Sequence, residues 1–251
     1  MASMVKLISK IRSLGLSTDD FYDTPPEARV GLWWLNSDKF NRLYAERRRG
    51  AKVVDLGCGP PANRGPVRDE VGAENYFGVD LDIRNEPDLV TDIARMPFAS
   101  ESLDLVRAFS VFEHTYNYRA ILDDLFRVLR PGGSLFIQTP FLLEFHGYPS
   151  DYFRYTHIAW RRILEEVGLK VVDCDIEYGQ GFFTNVAKLL EHGSFSFAGT
   201  GARWYWLRFM LRLSSKVAWS LRRFDKHYRG SMYASVLILG EKPGSVRHVA
   251  R

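Results

Sequence analysis

The turn that follows the first apolar stretch, VVDLGCGPPA, is the segment whose residue types and spacing point most directly to ligand chemistry. Gly57 and Gly59 come directly after a predicted buried strand, where a ligand can approach the backbone closely because no Cβ obstructs it. The turn loosely fits a dinucleotide pattern, but Pro60 and Pro61 lack the N–H groups that would hold a pyrophosphate, and Asp55 adds a negative charge. We therefore expect a ligand with a cationic centre and no phosphate; a nicotinamide-dependent dehydrogenase is the weaker alternative.

Candidate acid–base side chains form two clusters further along the chain. Glu113 and His114 follow a predicted fourth strand, at the edge where ligands bind in parallel sheets. His146 lies in the loop FHGYPSDYFRYT, which is unusually rich in His, Asp, Arg and Tyr for a Gly/Pro connection. A hydroxyl acceptor needs a base, and a His or carboxylate within hydrogen-bond reach can serve. His114 and His146 are our candidate catalytic bases; a structural hydrogen bond is the alternative for His114.

The elements that must position these residues alternate between strands and helices. Apolar segments bounded by turn residues predict strands at 51–57, 74–81, 87–92, 102–110, 133–140, 169–178 and 233–242. Helical spacing predicts helices over 27–49, Tyr118–Leu129 and His157–Val167, the last with Thr156 as N-cap and Gly168 as its end. This alternation indicates a parallel sheet with crossover helices, an α/β fold.

Composition excludes several classes of protein. The 251 residues are 46% apolar and 25% charged, which is typical of a globular domain. Cys58 and Cys174 are too few for a disulfide framework and lack the paired spacing of a zinc site, so we expect no metal and a reducing compartment. No apolar run approaches the length of a spanning helix, and basic residues interrupt the N-terminal segment, so we expect neither a membrane span nor a standard signal peptide.

The sequence from the glycine turn onward resembles the Rossmann-like S-adenosylmethionine-dependent methyltransferases. The resemblance rests on five ordered segments, VVDLGCGP, FGVDLD, TDIARMPF, SLDLV with SVFEH, and LRPGGSLFIQTP, and covers roughly residues 50–178. It implies an open seven-stranded, mostly parallel sheet with an antiparallel last strand and helices on both faces. It also implies S-adenosylmethionine as the cofactor.

By position, the resemblance assigns roles to individual residues. Asp80 should accept hydrogen bonds from both ribose hydroxyls, with Asp82 as a rival that the sequence does not eliminate. Asp92 should meet the adenine amino group with Ile93 beside it, and Ser110 should close the pocket. The full set of expected cofactor-binding residues is Asp55, Gly57, Cys58, Gly59, Asp80, Leu81, Asp92, Ile93 and Ser110, with Cys58 as a small packing residue and not a nucleophile.

The loop around His146 resembles that of a methyltransferase subgroup associated with bacterial surface-glycan and related biosynthesis. That resemblance implies substrate contacts by Asp151, Tyr152, Arg154 and Tyr155. The structural alternative is a self-packing lid in which Tyr152, Phe153 and Tyr155 fill the core and Arg154 pairs with Asp151. We expect methyl transfer to oxygen of a small-molecule, sugar or lipid-linked glycan acceptor. The alternatives are an RNA or protein methyltransferase, or a non-catalytic cofactor-binding scaffold at a membrane.

The positive charge of the chain is concentrated in one segment. The net charge is +4, yet residues 200–230 hold eight basic residues and one acid. If this segment is helical, one of its faces is apolar and consists of Trp206, Met210, Leu213, Val217, Leu221 and Phe224. This face could pack on the sheet domain, lie on an anionic membrane through 203–226, or meet a polyanion or partner subunit. Nucleic acid is disfavoured because no recognition motif or second basic patch is present.

The resulting organisation has four parts. We predict an N-terminal helical cap at 1–49, a cofactor-binding core at 50–178, an inserted basic helical segment at 179–232, and a final core strand with a tail at 233–251. We expect a cytoplasmic protein, with peripheral attachment to the inner face of a membrane as one alternative. The oligomeric state stays open, with a homo-oligomer among the alternatives.

Overall fold

The computed structural model describes residues 38–143, 145–146, 149–176, 182–183, 185–187, 189–190, 202–221, 223–224 and 235–244. The predicted N-terminal cap before residue 38 lies outside the described residues, as does most of the predicted insertion other than the helix described below. The described elements suffice to test the predicted sheet.

Seven strands form one sheet, which confirms the predicted fold class. They are β1 (Val53–Leu56), β2 (Tyr76–Asp80), β3 (Leu89–Val90), β4 (Leu103–Phe109), β5 (Leu129–Pro140), β6 (Lys170–Ile176) and β7 (Ser235–Glu241). Their order is β3-β2-β1-β4-β5-β7-β6, and β7 pairs antiparallel with both β5 and β6. The pairs from β3 to β5 are parallel, so their carboxyl ends meet at one edge.

Five helices accompany the sheet in the described chain: α1 (Asp38–Arg48), α2 (Pro61–Val71), α3 (Tyr118–Val128), α4 (His157–Val167) and α5 (Ala202–Leu221). Pro61 occupies the first turn of α2, where its missing N–H has no intrahelical partner to lose. Thr156 caps α4 by accepting a hydrogen bond from the Ala159 N–H at 3.1 Å, and Gly168 ends it in a left-handed conformation with φ of 93°. The predicted cap and stop of α4 are confirmed.

Each face of the sheet carries an apolar core. On one side α3 contributes Leu122 and Leu125, and α4 contributes Trp160, whose indole N–H donates to Thr139 Oγ1 at 2.8 Å. On the other side Phe40 and Tyr44 of α1 pack edge-to-face on Phe136, with ring centroids 5.3 and 5.0 Å apart. The central strand β1 is therefore buried along its whole length.

A buried ion pair joins the central strands. Asp55 of β1 and Arg107 of β4 are register partners, and Arg107 Nε lies 2.8 Å from Asp55 Oδ1. Tyr76 of β2 donates its hydroxyl to Asp55 Oδ2 at 2.6 Å. The Asp55 side chain is only 2% exposed, so its charge is neutralised within the protein and not by solvent.

Helix α5 exposes much of the apolar face that the sequence predicts. Trp206, Met210 and Val217 are 37%, 51% and 52% exposed, and Phe224 beyond the helix is 47% exposed. The contacts inward come instead from small residues, with Ser215 and Ala218 buried and Ser215 Oγ donating to the Ala187 carbonyl. These four side chains are thus only partly covered, and packing of this face on the sheet domain stays one of the open alternatives. None of the described helices has the length and apolar character needed to cross a bilayer.

Replacing Arg107 with Met tests the ion pair. Arg107→Met leaves the Asp55 carboxylate buried without its cation, so we expect the free energy of unfolding to fall by about 3–5 kcal/mol. The matched control is Arg84→Met, which breaks an exposed pair with Asp82 and should leave the free energy of unfolding almost unchanged. Urea unfolding of the two variants measures both values. Equal losses would show that the buried pair does not stabilise the central strands.

Candidate functional site

The glycine turn lies at the carboxyl end of β1, beside the loop that follows β4. Gly57 and Gly59 have φ of 59° and 62°, in the left-handed region that favours glycine. A Cβ on Gly57 would lie 2.6 Å from Val111 Cγ2, so the two loops approach each other only because Gly57 has no side chain. The Cys58 N–H donates to the Val79 carbonyl at 3.1 Å, which fixes the turn to the end of β2.

Asp80 stands at the end of β2 with a carboxylate that the backbone holds in place. Its Oδ2 accepts from the Gly59 N–H at 3.0 Å and its Oδ1 from the Asp82 N–H at 2.9 Å. Each oxygen keeps a further lone pair, and within the described residues no cation pairs with Asp80. Asp80 is therefore oriented and still able to accept hydrogen bonds from a ligand.

The rival carboxylate, Asp82, is already occupied. Arg84 donates to it twice through the guanidinium, at 2.9 Å from Nε and 2.6 Å from Nη2, and once through its backbone N–H. The hydrogen bonds from Arg84 lower the pKa of Asp82 to about 2. The structure thus favours Asp80 over Asp82 as the ligand-facing carboxylate, a choice that the sequence leaves open.

The other residues predicted for this half of the site surround the same strand ends. Leu81 follows Asp80 and is 75% exposed, an apolar side chain presented to solvent beside a polar one. Asp92 is exposed and accepts from the Ala94 N–H, and Ile93 packs partly against the core. Ser110 directly follows β4 with φ of 54°, and Gln138 accepts from the Ser110 N–H at 2.9 Å and from the Ser110 hydroxyl at 3.0 Å.

Asp55 and Cys58 lie beneath the turn, inside the protein. Both Asp55 oxygens are used by Arg107 and Tyr76, and Cys58 is 4% exposed. Cys58 is thus a packing residue, as expected. For Asp55 the structure shows a core ion pair and gives no support to direct contact with a ligand. The sequence analysis did not predict the pair between Asp55 and Arg107. These residues are 52 positions apart, and the register that brings them together is set by strand pairing and not by a local pattern.

Arg64 is a further residue that the sequence analysis missed. It projects from α2, is 6% exposed, and donates to the backbone carbonyls of Asn85 and Glu86 and to Cys58 Sγ. These contacts tie the segment after β2 to the glycine turn. Arg64 therefore supports the strand ends that carry Gly59 and Asp80 without itself being open to solvent.

The second half of the site begins at the turn after β4. Glu113 is fully buried, and neither of its carboxylate oxygens has a hydrogen-bond partner among the described residues. Burial raises the pKa of Glu113 to about 8. His114 Nδ1 lies 2.8 Å from the Ser150 carbonyl oxygen, which can only accept, so Nδ1 carries the proton. His114 Nε2 then has a lone pair, 3.9 Å from Glu113 Oε1.

The loop after β5 folds back onto this turn. The Glu113 carbonyl accepts from the N–H groups of Tyr152 and Phe153 at 2.8 and 3.3 Å. Asp151 accepts from Arg154 Nη1 and Nη2 at 2.5 and 2.8 Å and from the His146 N–H at 2.8 Å. These hydrogen bonds from Arg154 hold the pKa of Asp151 well below its usual range.

His146 completes this cluster. Its ring lies edge-on to that of His114 with centroids 4.8 Å apart, and its Nδ1 is 3.4 Å from both Asp151 Oδ2 and Arg154 Nη2. The structure therefore brings together Glu113 and the two predicted bases, His114 and His146, although they come from different loops. Whether either histidine acts as a base stays a prediction.

The predicted lid is only partly a core element. The Asp151–Arg154 pair forms as expected, and Tyr155 is 5% exposed, with its hydroxyl 3.4 Å from the Phe112 carbonyl and its ring against Trp160. Tyr152 is wrongly placed in the core by the structural alternative, because it is 48% exposed. Direct substrate contact is unsupported for Tyr155, whereas Tyr152 presents its ring to solvent beside the cluster. Contacts of Asp151, Tyr152 and Arg154 with a substrate stay predictions.

The residues at the strand ends fit a nucleoside-bearing cofactor with vicinal hydroxyls. One carboxylate with two available lone pairs can accept from two adjacent hydroxyls, and exposed Leu81 offers an apolar surface to a base. At the glycine turn a ligand can approach the backbone closely, because no side chain lies between them. This donor set matches the role that the family resemblance gives to Asp80.

Substituting the turn glycine tests its geometry. Gly57→Ala places a Cβ against Val111 in a left-handed backbone, so we expect a loss of at least about 1 kcal/mol in the free energy of unfolding. Gly65→Ala in α2 meets no atom within 4 Å and should raise that free energy by about 0.5–1 kcal/mol. Urea unfolding separates the two. The same change in both variants would contradict the close approach at Gly57.

Comparison with known proteins identifies relatives along the same residues. A family model described as a methyltransferase domain matches residues 34–173. The chain is 28% identical over 131 residues to a Mycolicibacterium smegmatis protein named a probable S-adenosylmethionine-dependent methyltransferase, covering 48% of this chain and 50% of that protein. It is 29% identical over 154 residues to an arsenite methyltransferase of Halobacterium salinarum, covering 55% of this chain and 38% of that protein. The chain thus spans half or less of the length of these curated relatives.

Solved structures share the fold at low sequence identity. A crystal structure of a SAM-dependent methyltransferase from Archaeoglobus fulgidus has a TM-score of 0.55 at 16% identity, with 84% of this chain and 100% of that chain covered. The [4+2]-cyclase SpnF has a TM-score of 0.50 at 16% identity, with 82% and 81% covered. These likenesses concern the fold alone, and one of them is to a cyclase.

The family match includes the glycine turn, the Asp80 strand end and the Glu113–His114 turn within its 34–173 range. It covers more than half of the 251-residue chain. This protein therefore belongs to the methyltransferase domain family.

Proposed function

We propose that the protein is an S-adenosylmethionine-dependent methyltransferase that methylates an oxygen of a small-molecule, sugar or lipid-linked glycan acceptor. The observation that carries the proposal is the Asp80 carboxylate, which the Gly59 and Asp82 N–H groups orient while leaving it able to accept two more hydrogen bonds. Membership of the methyltransferase domain family supports the same activity. The names of the two curated relatives agree with it.

The two halves of the site divide the work of such a reaction. S-Adenosylmethionine, when bound, supplies a methyl group on a positively charged sulfur, ready for in-line displacement. In the proposal, Gly57, Gly59, Asp80 and Leu81 hold this cofactor, together with Ile93, Asp92 and Ser110. Positioning then provides most of the acceleration, because the donor is already activated. The chain's remaining task is to orient the acceptor and accommodate its proton.

The Glu113, His114 and His146 cluster is suited to that task. His114 Nε2 presents a lone pair because its other ring nitrogen is committed to the Ser150 carbonyl. The side chains of His114 and His146 are 29% and 32% exposed, so a hydroxyl can reach them. Exposed Tyr152 lies on the same loop and supplies an aromatic surface of the kind on which sugar rings pack. These features support an oxygen acceptor of the glycan or secondary-biosynthesis class.

Cofactor binding is tested with two neighbouring carboxylates. We expect Asp80→Ala to weaken S-adenosylmethionine binding about 10- to 100-fold, since it removes two hydrogen bonds to a charged group. Asp82→Ala is the matched control and should change the affinity less than about twofold, because Asp82 is paired with Arg84. Isothermal titration calorimetry gives both affinities. Equal weakening by the two substitutions, or saturable binding of NAD in place of S-adenosylmethionine, would contradict the cofactor assignment.

The acceptor class is tested by transfer of a labelled methyl group into a bacterial extract. Wild-type protein and Asp80→Ala are compared, and the product is partitioned between organic and aqueous phases. Label in the organic phase with wild type alone would indicate a lipid or lipid-linked acceptor, and label in low-molecular-weight aqueous material would indicate a sugar or metabolite. Label in RNA or protein would favour the alternative methyltransferases. No transfer by a protein that binds the cofactor would leave a non-catalytic scaffold.

A peripheral attachment of α5 to an anionic membrane is the second part of the proposal. Trp206, Met210 and Val217 present exposed apolar surface on a helix that also carries Arg208, Arg212 and Lys216. An exposed apolar stripe on a helix of net positive charge matches an anionic lipid surface in both hydrophobicity and charge. The free cysteines Cys58 and Cys174 suit a reducing, cytoplasmic location at the inner face of that membrane.

Liposome flotation tests this attachment. We expect the wild-type protein to float with vesicles that contain anionic phospholipid and to stay at the bottom with neutral vesicles. Met210→Glu should abolish flotation, because it places a charge where lipid would contact the helix. Tyr205→Glu adds the same charge at an exposed position about 100° around the helix from Trp206 and should retain flotation. Recovery of wild type at the bottom with both vesicle types would refute the attachment.

A further inference from the structure

Glu113, His114 and His146 form a group of side chains that could share one ion. Their ligand atoms all lie within 4.8 Å of one another. Glu113 and His114 come from the turn after β4, and His146 comes from the loop after β5. We infer that these three side chains bind a divalent transition-metal ion. The inference deepens the proposed function. The role of the ion in methyl transfer rests on that function, whereas metal binding itself does not.

Glu113 provides the first argument. Its side chain has no exposed surface, and both carboxylate oxygens lack hydrogen-bond partners in the described structure. Burying an isolated carboxylate costs several kcal/mol, so a buried carboxyl group is either protonated or paired with a cation. Among the described residues no guanidinium or ammonium group forms a salt bridge with Glu113; His114 lies nearest, and Arg154 acts on Glu113 only through a longer-range Coulomb interaction. A cation between Glu113 and the histidines would satisfy both oxygens.

The tautomer of His114 provides the second argument. In the neutral imidazole with Nδ1 donating to the Ser150 carbonyl, Nε2 presents its lone pair to Glu113 Oε1 at 3.9 Å. This distance is too long for a direct hydrogen bond, so neither atom satisfies the other. Zinc–nitrogen and zinc–oxygen bonds are each about 2.0–2.2 Å long, so one ion can bridge atoms 3.9 Å apart. A backbone carbonyl on the other ring nitrogen is also the usual second partner of a metal-binding histidine.

His146 has the corresponding support from a carboxylate. Asp151 Oδ2 lies 3.4 Å from His146 Nδ1, and it accepts from the His146 backbone N–H as well. Asp151 is 1% exposed and pairs through both oxygens with Arg154, so the positive charge of Arg154 is largely neutralised. A histidine that binds a metal through one ring nitrogen and a carboxylate through the other is a common arrangement. Arg154 therefore does not preclude a cation at the cluster.

The ligand chemistry selects the class of ion. Two imidazoles and one carboxylate suit zinc and other first-row transition metals, whereas magnesium and calcium prefer oxygen ligands. Three protein ligands leave at least one coordination position open, and both histidines are partly exposed on that side. In the proposed reaction, an ion there would coordinate the acceptor oxygen and lower the pKa of its hydroxyl, whose proton would pass to water at the exposed side of the cluster and not to an imidazole.

The test measures metal binding by the full chain without cofactor or acceptor. Equilibrium dialysis against Zn²⁺ should give a site that is lost, or weakened at least tenfold, in Glu113→Gln, His114→Ala and His146→Ala. The matched control is His157→Ala, which removes another described histidine at the start of α4 and should leave that site intact. Co²⁺ should give the visible absorption bands of a low-coordinate nitrogen and oxygen site in wild type and His157→Ala only.

The competing outcomes are distinguishable. Wild-type protein that binds no Zn²⁺, or retention of the same Zn²⁺ stoichiometry and affinity by His114→Ala and His146→Ala, would overturn the inference. Thermal unfolding without metal checks that each variant folds, and the two partly exposed histidines provide the test if Glu113→Gln does not. Because no methyl transfer is measured, a failed labelling experiment with intact Zn²⁺ binding would overturn the proposed function and leave the metal site standing.

Discussion

The ion pair between Asp55 and Arg107 is the constraint on which the arrangement of the site depends. It joins β1 to β4 at a single register position, and Tyr76 extends it to β2. A slip of one residue in either strand would turn one charge to the opposite face and leave the other buried alone. Such a pair contributes specificity more than net stability, because desolvation offsets much of the Coulomb attraction. The register fixed here determines where Gly57, Asp80 and Ser110 emerge.

Most of the strands and two of the helices could be predicted from local sequence patterns, whereas the topology of the sheet followed from the family resemblance and helix α2 was not predicted. The apolar strands, the α4 cap at Thr156 and its stop at Gly168 all follow from neighbouring residues. The distinction between Asp80 and Asp82 could not be made from the sequence, since it depends on which carboxylate faces the Gly59 N–H and which faces Arg84. The exposure of the apolar face of α5 could not be predicted either, because periodicity identifies an apolar stripe but not what covers it.

Glu113 shows a different limit of sequence reasoning. The Glu-His pair is visible in the sequence, but attention falls on the histidine because its unperturbed pKa suits proton transfer. What distinguishes Glu113 is its complete burial without a partner, which depends on the loop from residue 149 onward folding over the turn. The expectation that the chain has no metal site rested on cysteine spacing, and a histidine–carboxylate cluster assembled from two loops leaves no such local pattern.

The loop that covers Glu113 is attached in a way that affects how its sequence can change. Its attachment to the turn uses the Tyr152 and Phe153 backbone N–H groups, and its internal geometry uses the Asp151–Arg154 pair. The exposed ring of Tyr152 takes no part in either hydrogen-bonded attachment. Substitutions at this position can therefore accumulate without altering the path of the backbone. Under the proposed function, a change at this one exposed position could alter which acceptor is bound while Glu113 and the two histidines keep their places.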